Sequence, residues 1–206
     1  MQSQTSAIIL AGGRGERLAG QDKATLVLDG ETLLERVYRR VAALADEVVI
    51  VLRPDQELAP DLVAATQGAI VVRDLLGHAG VLAAMCAGLE AARHEWSLLV
   101  ACDMPFIQAS LVRHMWSLRG GWDVVVPRLE VGLEPLHALY HRRCLSSIRD
   151  ALAQGRRRVI GFYEPLRVRY VEEEEIGRHD PRRLSFFNIN TPEDLVRARQ
   201  LLDDDA

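Results

Sequence analysis

Short apolar runs of strand length recur along this chain, and a stretch of helical period follows nearly every one. Residues 6–10 (SAIIL), 47–52 (EVVIVL), 69–73 (AIVVR), 96–101 (WSLLVA) and 122–127 (WDVVVP) have the apolar and β-branched content of buried strands. Between them, Leu33, Leu34, Val37, Tyr38, Val41 and Leu44 recur at helical spacing, and residues 81–92 are apolar with the same period. A helix is expected over 110–118, a strand over 136–140, a helix over 145–153 and an alternating edge strand over 167–171. Thr191 suits the cap of a last helix reaching about Leu202, with Pro192 at its first position and Glu193 and Asp194 against the positive end of its dipole. Parallel neighbours need long crossovers, so this alternation predicts a mainly parallel sheet covered by helices on both faces. The expected fold is α/β, a three-layer sandwich forming a single domain over residues 1–206.

The first strand runs into "AGGRGERLAGQDKATL". Gly12 and Gly13 allow a sharp turn and a close backbone approach to a ligand, and the N–H groups of such a turn can cradle an anion. Neither a Walker A loop nor a dinucleotide fingerprint is present: Lys23 stands between Asp22 and Ala24, and Leu18 occupies the place of the third glycine. The chain has 25 basic residues, and Lys23 is the only lysine among them. A compact ammonium can touch several phosphate oxygens where a planar guanidinium cannot, which points Lys23, with Arg14 and Arg17 near it, towards phosphate. Asp74 and Asp103 each end an apolar run, at the sheet edge where open α/β folds bind ligands, and carboxylates there suit Mg²⁺.

A net charge of −4 argues against a general binder of nucleic acid or acidic membrane. Cys86, Cys102 and Cys144 form no C-x-x-C pair, the start lacks a signal-peptide pattern, and no apolar run reaches membrane-span length; a cytoplasmic protein is expected. His137, His141 and Cys144 have no second cluster to complete a zinc site and are read as structural. Glu172 to Glu175 is expected to be a solvated acidic face. Arg156 to Arg158 is expected to be a surface cluster, with phosphate contact as the alternative.

"LAGGRGERLAGQDKATL" resembles the opening signature of the molybdenum cofactor guanylyltransferases, the MobA family. "RDLLGHAGVLAAMCAGL", "ACDMPF", "LEPLHALY" and "FFNINTPEDL" are similar to its later motifs, in order along nearly the whole chain. The resemblance implies a Rossmann-like fold and transfer of GMP from GTP to the phosphate of molybdopterin, with Mg²⁺ as cofactor and release of pyrophosphate. It implies that Leu10, Ala11 and Gly12 contact the nucleotide, that Gly13 completes the turn, and that Lys23 and Arg17 meet the triphosphate. It further implies that Asp74 contacts the nucleotide, that Asp103 binds both metal and nucleotide, and that Asn188 and Asn190 lie near the pterin. Other proteins of cofactor synthesis, or an acceptor of the product, are the partners it suggests. Three positions depart from the family pattern: Arg53 stands where a nucleotide-contacting Asn can occur, and Val81 and Ala84 replace the Pro and second Gly of G-P-L-A-G. Cytidylyl transfer to the same cofactor, nucleotidyl transfer to a sugar phosphate, and a non-catalytic nucleotide-binding handover module are the alternatives.

Overall fold

The structure is a computed structural model and describes residues 4–15, 21–74 and 80–203. All of β1 (Ser6–Leu10) is buried, with Ala7 and Ile9 in one apolar layer and Ile8 and Leu10 in the other. Two small hairpins follow, β2 (Arg14–Gly15) with β3 (Gln21–Asp22) and β4 (Val27–Leu28) with β5 (Glu31–Thr32), separated by a 3₁₀ turn at Lys23–Thr25. Helix α1 (Leu33–Ala42) opens on a capping box between Thr32 and Glu35. The chain continues through β6 (Glu47–Leu52), α2 (Pro60–Ala65), β7 (Ile70–Arg73), α3 (Val81–Ala91), β8 (Trp96–Ala101) and α4 (Ala109–Leu118). It ends with β9 (Val124–Leu129), β10 (Gly132–Leu133), β11 (His137–His141), α5 (Cys144–Ala153), β12 (Val168–Val171), α6 (Glu173–His179) and α7 (Pro192–Asp203).

One sheet runs in the order β9-β11-β8-β1-β6-β7, with β10 and β12 both joined to β9. The pairs β8–β1, β1–β6, β6–β7 and β9–β12 are parallel, and β11 runs antiparallel between β8 and β9. Helices α1, α4 and α6 bury Leu34, Val37, Leu111, Met115 and Ile176 on one face, and α3 and α5 bury Leu82, Met85, Leu89 and Ile148 on the other. This is the expected three-layer α/β arrangement, held by two cores of apolar side chains removed from water.

Helix α3 lies so close to the sheet that a Cβ on Gly88 would stand 2.5 Å from Ile8 Cγ2 and 3.1 Å from Val51 Cγ2. Gly88→Ala is therefore expected to cost about 1–3 kcal/mol of stability by overpacking, despite alanine's better helix propensity. Urea unfolding measures it, and a neutral or stabilising effect would show that β1 and β6 can yield.

Two sequence expectations need correction. Strand β9 starts at Val124 rather than at residue 122; just before it the Asp123 carboxylate accepts from the Arg167 backbone N–H at 2.9 Å and from its guanidinium at 3.2 Å. It also passes Pro127 to Leu129, where the β10 hairpin pairs Arg128 and Leu129. The acidic run 172–175 is no plain solvated face. Glu172 and Glu175 form a capping box at the start of α6, and Glu175 accepts from Arg169 at 2.7 Å while Glu172 pairs with Arg128. Three glutamates in the first turn also favour the helix by facing the positive end of its dipole.

Candidate active site

Four parallel strands end in line. The ladder pairs Leu10 with Val51 and Ala101, and Leu52 with Arg73. It continues through Ala11 N–H to Val51 O at 2.9 Å, Cys102 N–H to Leu10 O at 3.1 Å and Asp74 N–H to Leu52 O at 2.9 Å. Gly12, Arg53, Asp74 and Asp103 consequently share one sheet edge. After β1 the chain moves outward to β6 over one face, and it returns to β8 through α3 on the other, so the order reverses between β1 and β8. Ligands of open α/β sheets bind in the crevice at such a reversal. Gly12, Gly13 and Asp103 border it.

Lys23 reaches the same place. Its Nζ donates to Asp103 Oδ2 at 2.6 Å and also to Asn190 Oδ1. The Lys23 and Asp103 side chains are only 12% and 14% exposed. Asp103 Oδ1 is buried and has no hydrogen-bond partner among the described residues. A third small core explains why residues so distant in sequence meet. Leu26, three positions after Lys23, packs in one cluster with Phe106, three after Asp103, and with Ile189, next to Asn190. The Ile189 N–H also donates to Asp103 O at 3.0 Å, and the Asn190 and Thr191 N–H groups donate to Asp194 Oδ2 at 3.0 and 2.9 Å. Apolar packing thus brings the strand end, the 3₁₀ turn and the start of α7 together, and the polar heads are left at its rim.

The loop after β6 braces the glycine turn. Arg53 Nη1 donates to Gly12 O at 3.1 Å and Nη2 lies 3.5 Å from Asp22 Oδ2. A Cβ on Gly12 would stand 3.0 Å from Arg53 Cγ, so a larger residue here would push against the Arg53 side chain. Gln56 Nε2 donates to Ala11 O at 3.1 Å and to Asp22 Oδ2 at 2.7 Å.

The other expected site residues fall as follows. Leu10 and Ala11 are buried, and their backbones already pair with Cys102, Val51 and Gln56. Asp74 is buried at the end of β7, three strands from Asp103 in the sheet order, or about 14 Å at ordinary strand spacing. One cation cannot bind both carboxylates across that gap. Asn188 donates to Phe186 O at 3.0 Å and is not joined to Lys23. Arg17 lies outside the described residues, as does the 75–79 part of the glycine segment after Asp74. Arg156 donates to Gly161 O at 3.0 Å. Among the described residues no group of three His, Cys, Asp or Glu is placed to hold a metal ion.

Residues 7–168 match the model of a family described as the MobA-like NTP transferase domain. The chain belongs to this family. A molybdenum cofactor guanylyltransferase from Desulfosudis oleivorans is 40% identical over 194 residues, which cover 94% of this chain and 93% of the relative. A probable molybdenum cofactor guanylyltransferase from Pelotomaculum thermopropionicum is 39% identical over 196 residues, covering 95% and 92%. The crystal structure of molybdopterin-guanine dinucleotide biosynthesis protein A from Archaeoglobus fulgidus matches with a TM-score of 0.81 at 29% identity, over 97% of this chain and 99% of that one. Membership of the MobA-like family makes the chain a nucleotidyltransferase. Sequence reasoning passed over Gln56 and Asp22, which brace the loop of this MobA-like chain. Only Arg53 carried a signal, as a departure from the family pattern.

Proposed function

We propose that this chain transfers GMP from GTP to the phosphate of molybdopterin and releases pyrophosphate. The observation that carries this reading is the meeting of the glycine turn, the lone lysine and Asp103 at the sheet's reversal point in a MobA-like chain. An oxygen of the acceptor phosphate forms a bond to the α-phosphorus of GTP, and the bond from that phosphorus to the β-phosphate oxygen breaks. The second pKa of a phosphate monoester is about 6, so the attacking oxygen is already anionic and needs no base. What the chain must supply is alignment and charge neutralisation.

Lys23 supplies part of both. Its ammonium has three N–H donors, two of which are engaged by Asp103 and Asn190, leaving one for the triphosphate. Arg17 adds a second positive charge to the departing pyrophosphate, and Gly12 and Gly13 bring backbone close to the phosphates. Leu10 and Ala11 support that turn, Asp74 contacts the nucleotide away from the phosphates, and Asn188 and Asn190 border the pterin side. Mg²⁺ takes one or two carboxylates together with water and substrate phosphates, and the buried Oδ1 of Asp103, which has no partner among the described residues, fits such a ligand. When bound, the cation would supply positive charge at the α-phosphate. Cys86, Cys102 and Cys144 are free and buried, which suits a reducing compartment, and we take the cytoplasm as the site of action. No described helix is long and apolar enough to cross a membrane.

The test is pyrophosphate release with GTP or CTP, each with and without molybdopterin. Release is expected with GTP and molybdopterin together. Equal or faster release with CTP would assign cytidylyl transfer. GTP binding with no product in the complete assay would leave a handover module.

A further inference from the structure

Lys23 is held at its head by Asp103 and Asn190, but its backbone is set from the other side of the loop. Asp22 Oδ1 accepts the Ala24 N–H at 3.0 Å and so caps the 3₁₀ turn that Lys23 begins, while Thr25 Oγ1 donates to Asp22 O at 2.9 Å. The other carboxylate oxygen, Oδ2, accepts Gln56 Nε2 at 2.7 Å. Gln56 is only 3% exposed, and both ends of its amide are engaged. Oε1 accepts the Arg53 N–H at 3.1 Å, and Nε2 spends its two donors on Asp22 and on Ala11 O. The Gln56 main-chain oxygen in turn accepts Arg73 Nη2 at 3.3 Å. A buried amide bonded through both N–H groups and its oxygen behaves as a fixed strut rather than a swinging arm. It joins the end of β1, the loop after β6 and the Lys23 turn at one point.

We propose that Gln56 is a positioning residue: acting through Asp22, it sets where the Lys23 ammonium stands against the triphosphate. This rests on the reading of Lys23 as a triphosphate contact. Among the hydrogen bonds of Gln56 none goes to Lys23 or Asp103, so its influence on the nucleotide passes through the Asp22 joint. Arg53 serves the same joint, since its guanidinium spans Gly12 O and Asp22 Oδ2.

A thermodynamic cycle on GTP binding in the presence of Mg²⁺ tests this, using Gln56→Met, which is neutral and of similar length. In the chain that keeps Lys23, Gln56→Met is expected to weaken GTP binding about tenfold, the scale of a lost hydrogen bond to a charged group. In a Lys23→Ala chain the same substitution is expected to change affinity by less than about twofold, because the group it positions is gone. An equal loss in both backgrounds, or no loss in the first, overturns the proposal. If Lys23→Ala alone leaves GTP affinity unchanged, the triphosphate role of Lys23 fails and this proposal with it, which separates the two failures. Should Gln56→Met not fold, Gln56→Asn, whose amide is too short to reach Asp22, goes through the same cycle with the same expectations.

Discussion

Lys23→Arg is expected to slow nucleotidyl transfer by about 10²–10³-fold while the melting temperature stays close to that of the parent chain, the loss typical of removing one preorganised donor from developing charge. Alanine is the less informative replacement here. Lys23 and Asp103 are 2.6 Å apart and mostly buried, so deleting the ammonium leaves an unpaired carboxylate and mixes stability with chemistry. Arginine keeps the charge and a partner for Asp103. What it loses is shape: a planar fork must replace a point charge that sits between Asp103 Oδ2 and Asn190 Oδ1 and still has a donor to turn towards phosphate. Asp103→Asn keeps the size and an oxygen for Lys23 but removes the charge that Mg²⁺ needs, and a loss of the same order is expected. Steady-state pyrophosphate release with a thermal melt on each variant measures both effects. Near-parental turnover in Lys23→Arg would return the lone lysine to an accident of composition.

The strands at 6–10, 47–52 and 96–101 could be read to the residue because each is buried on both faces and so appears as an unbroken apolar run. Elements with no such run were hidden. The two-residue hairpins β2–β3 and β4–β5 show no periodicity, and six-residue α2 is shorter than two helical turns. Helix α6 was masked by its own glutamates, whose charge reads as a solvated face although their position is that of a first turn. Lys23 and Asp103 stood out in the sequence because chemistry and place agreed, one a lone lysine beside a glycine turn and the other a carboxylate ending an apolar run. Gln56 gave no such sign. Its partners are a main-chain oxygen 45 residues away and a carboxylate 34 residues away, and only folding reveals them. Asn190 could be placed only by likeness to a family; its bond to Lys23 depends on packing among Leu26, Phe106 and Ile189 that no local pattern announces.

His137 sets the second large effect, on stability rather than turnover. It opens β11, is fully buried, and has no hydrogen-bond partner for either ring nitrogen among the described residues; its ring packs T-shaped with Phe186, the centroids 5.3 Å apart. Burial pushes the imidazole down to about 4, against an ordinary value near 6.5. Between those values the unfolded chain takes up a proton that the folded chain refuses. Stability from this group is therefore complete above about pH 6.5 and declines as the pH falls towards 4. A shift of this size corresponds to about 3 kcal/mol lost across the window. His137→Leu removes the proton-binding site and two unsatisfied polar atoms while keeping similar volume. It is expected to be at least as stable at pH 7 and to lose about 3 kcal/mol less than the parent chain on going to pH 4. His141 and His179 are also held below their ordinary values, chiefly by burial, so some acid sensitivity of the same sign persists in both chains. Urea unfolding of the two proteins across pH 4–7 isolates His137 as the difference between the curves. Parallel curves would mean that the ring is protonated in the fold or reached by water, and that its burial does not govern acid stability.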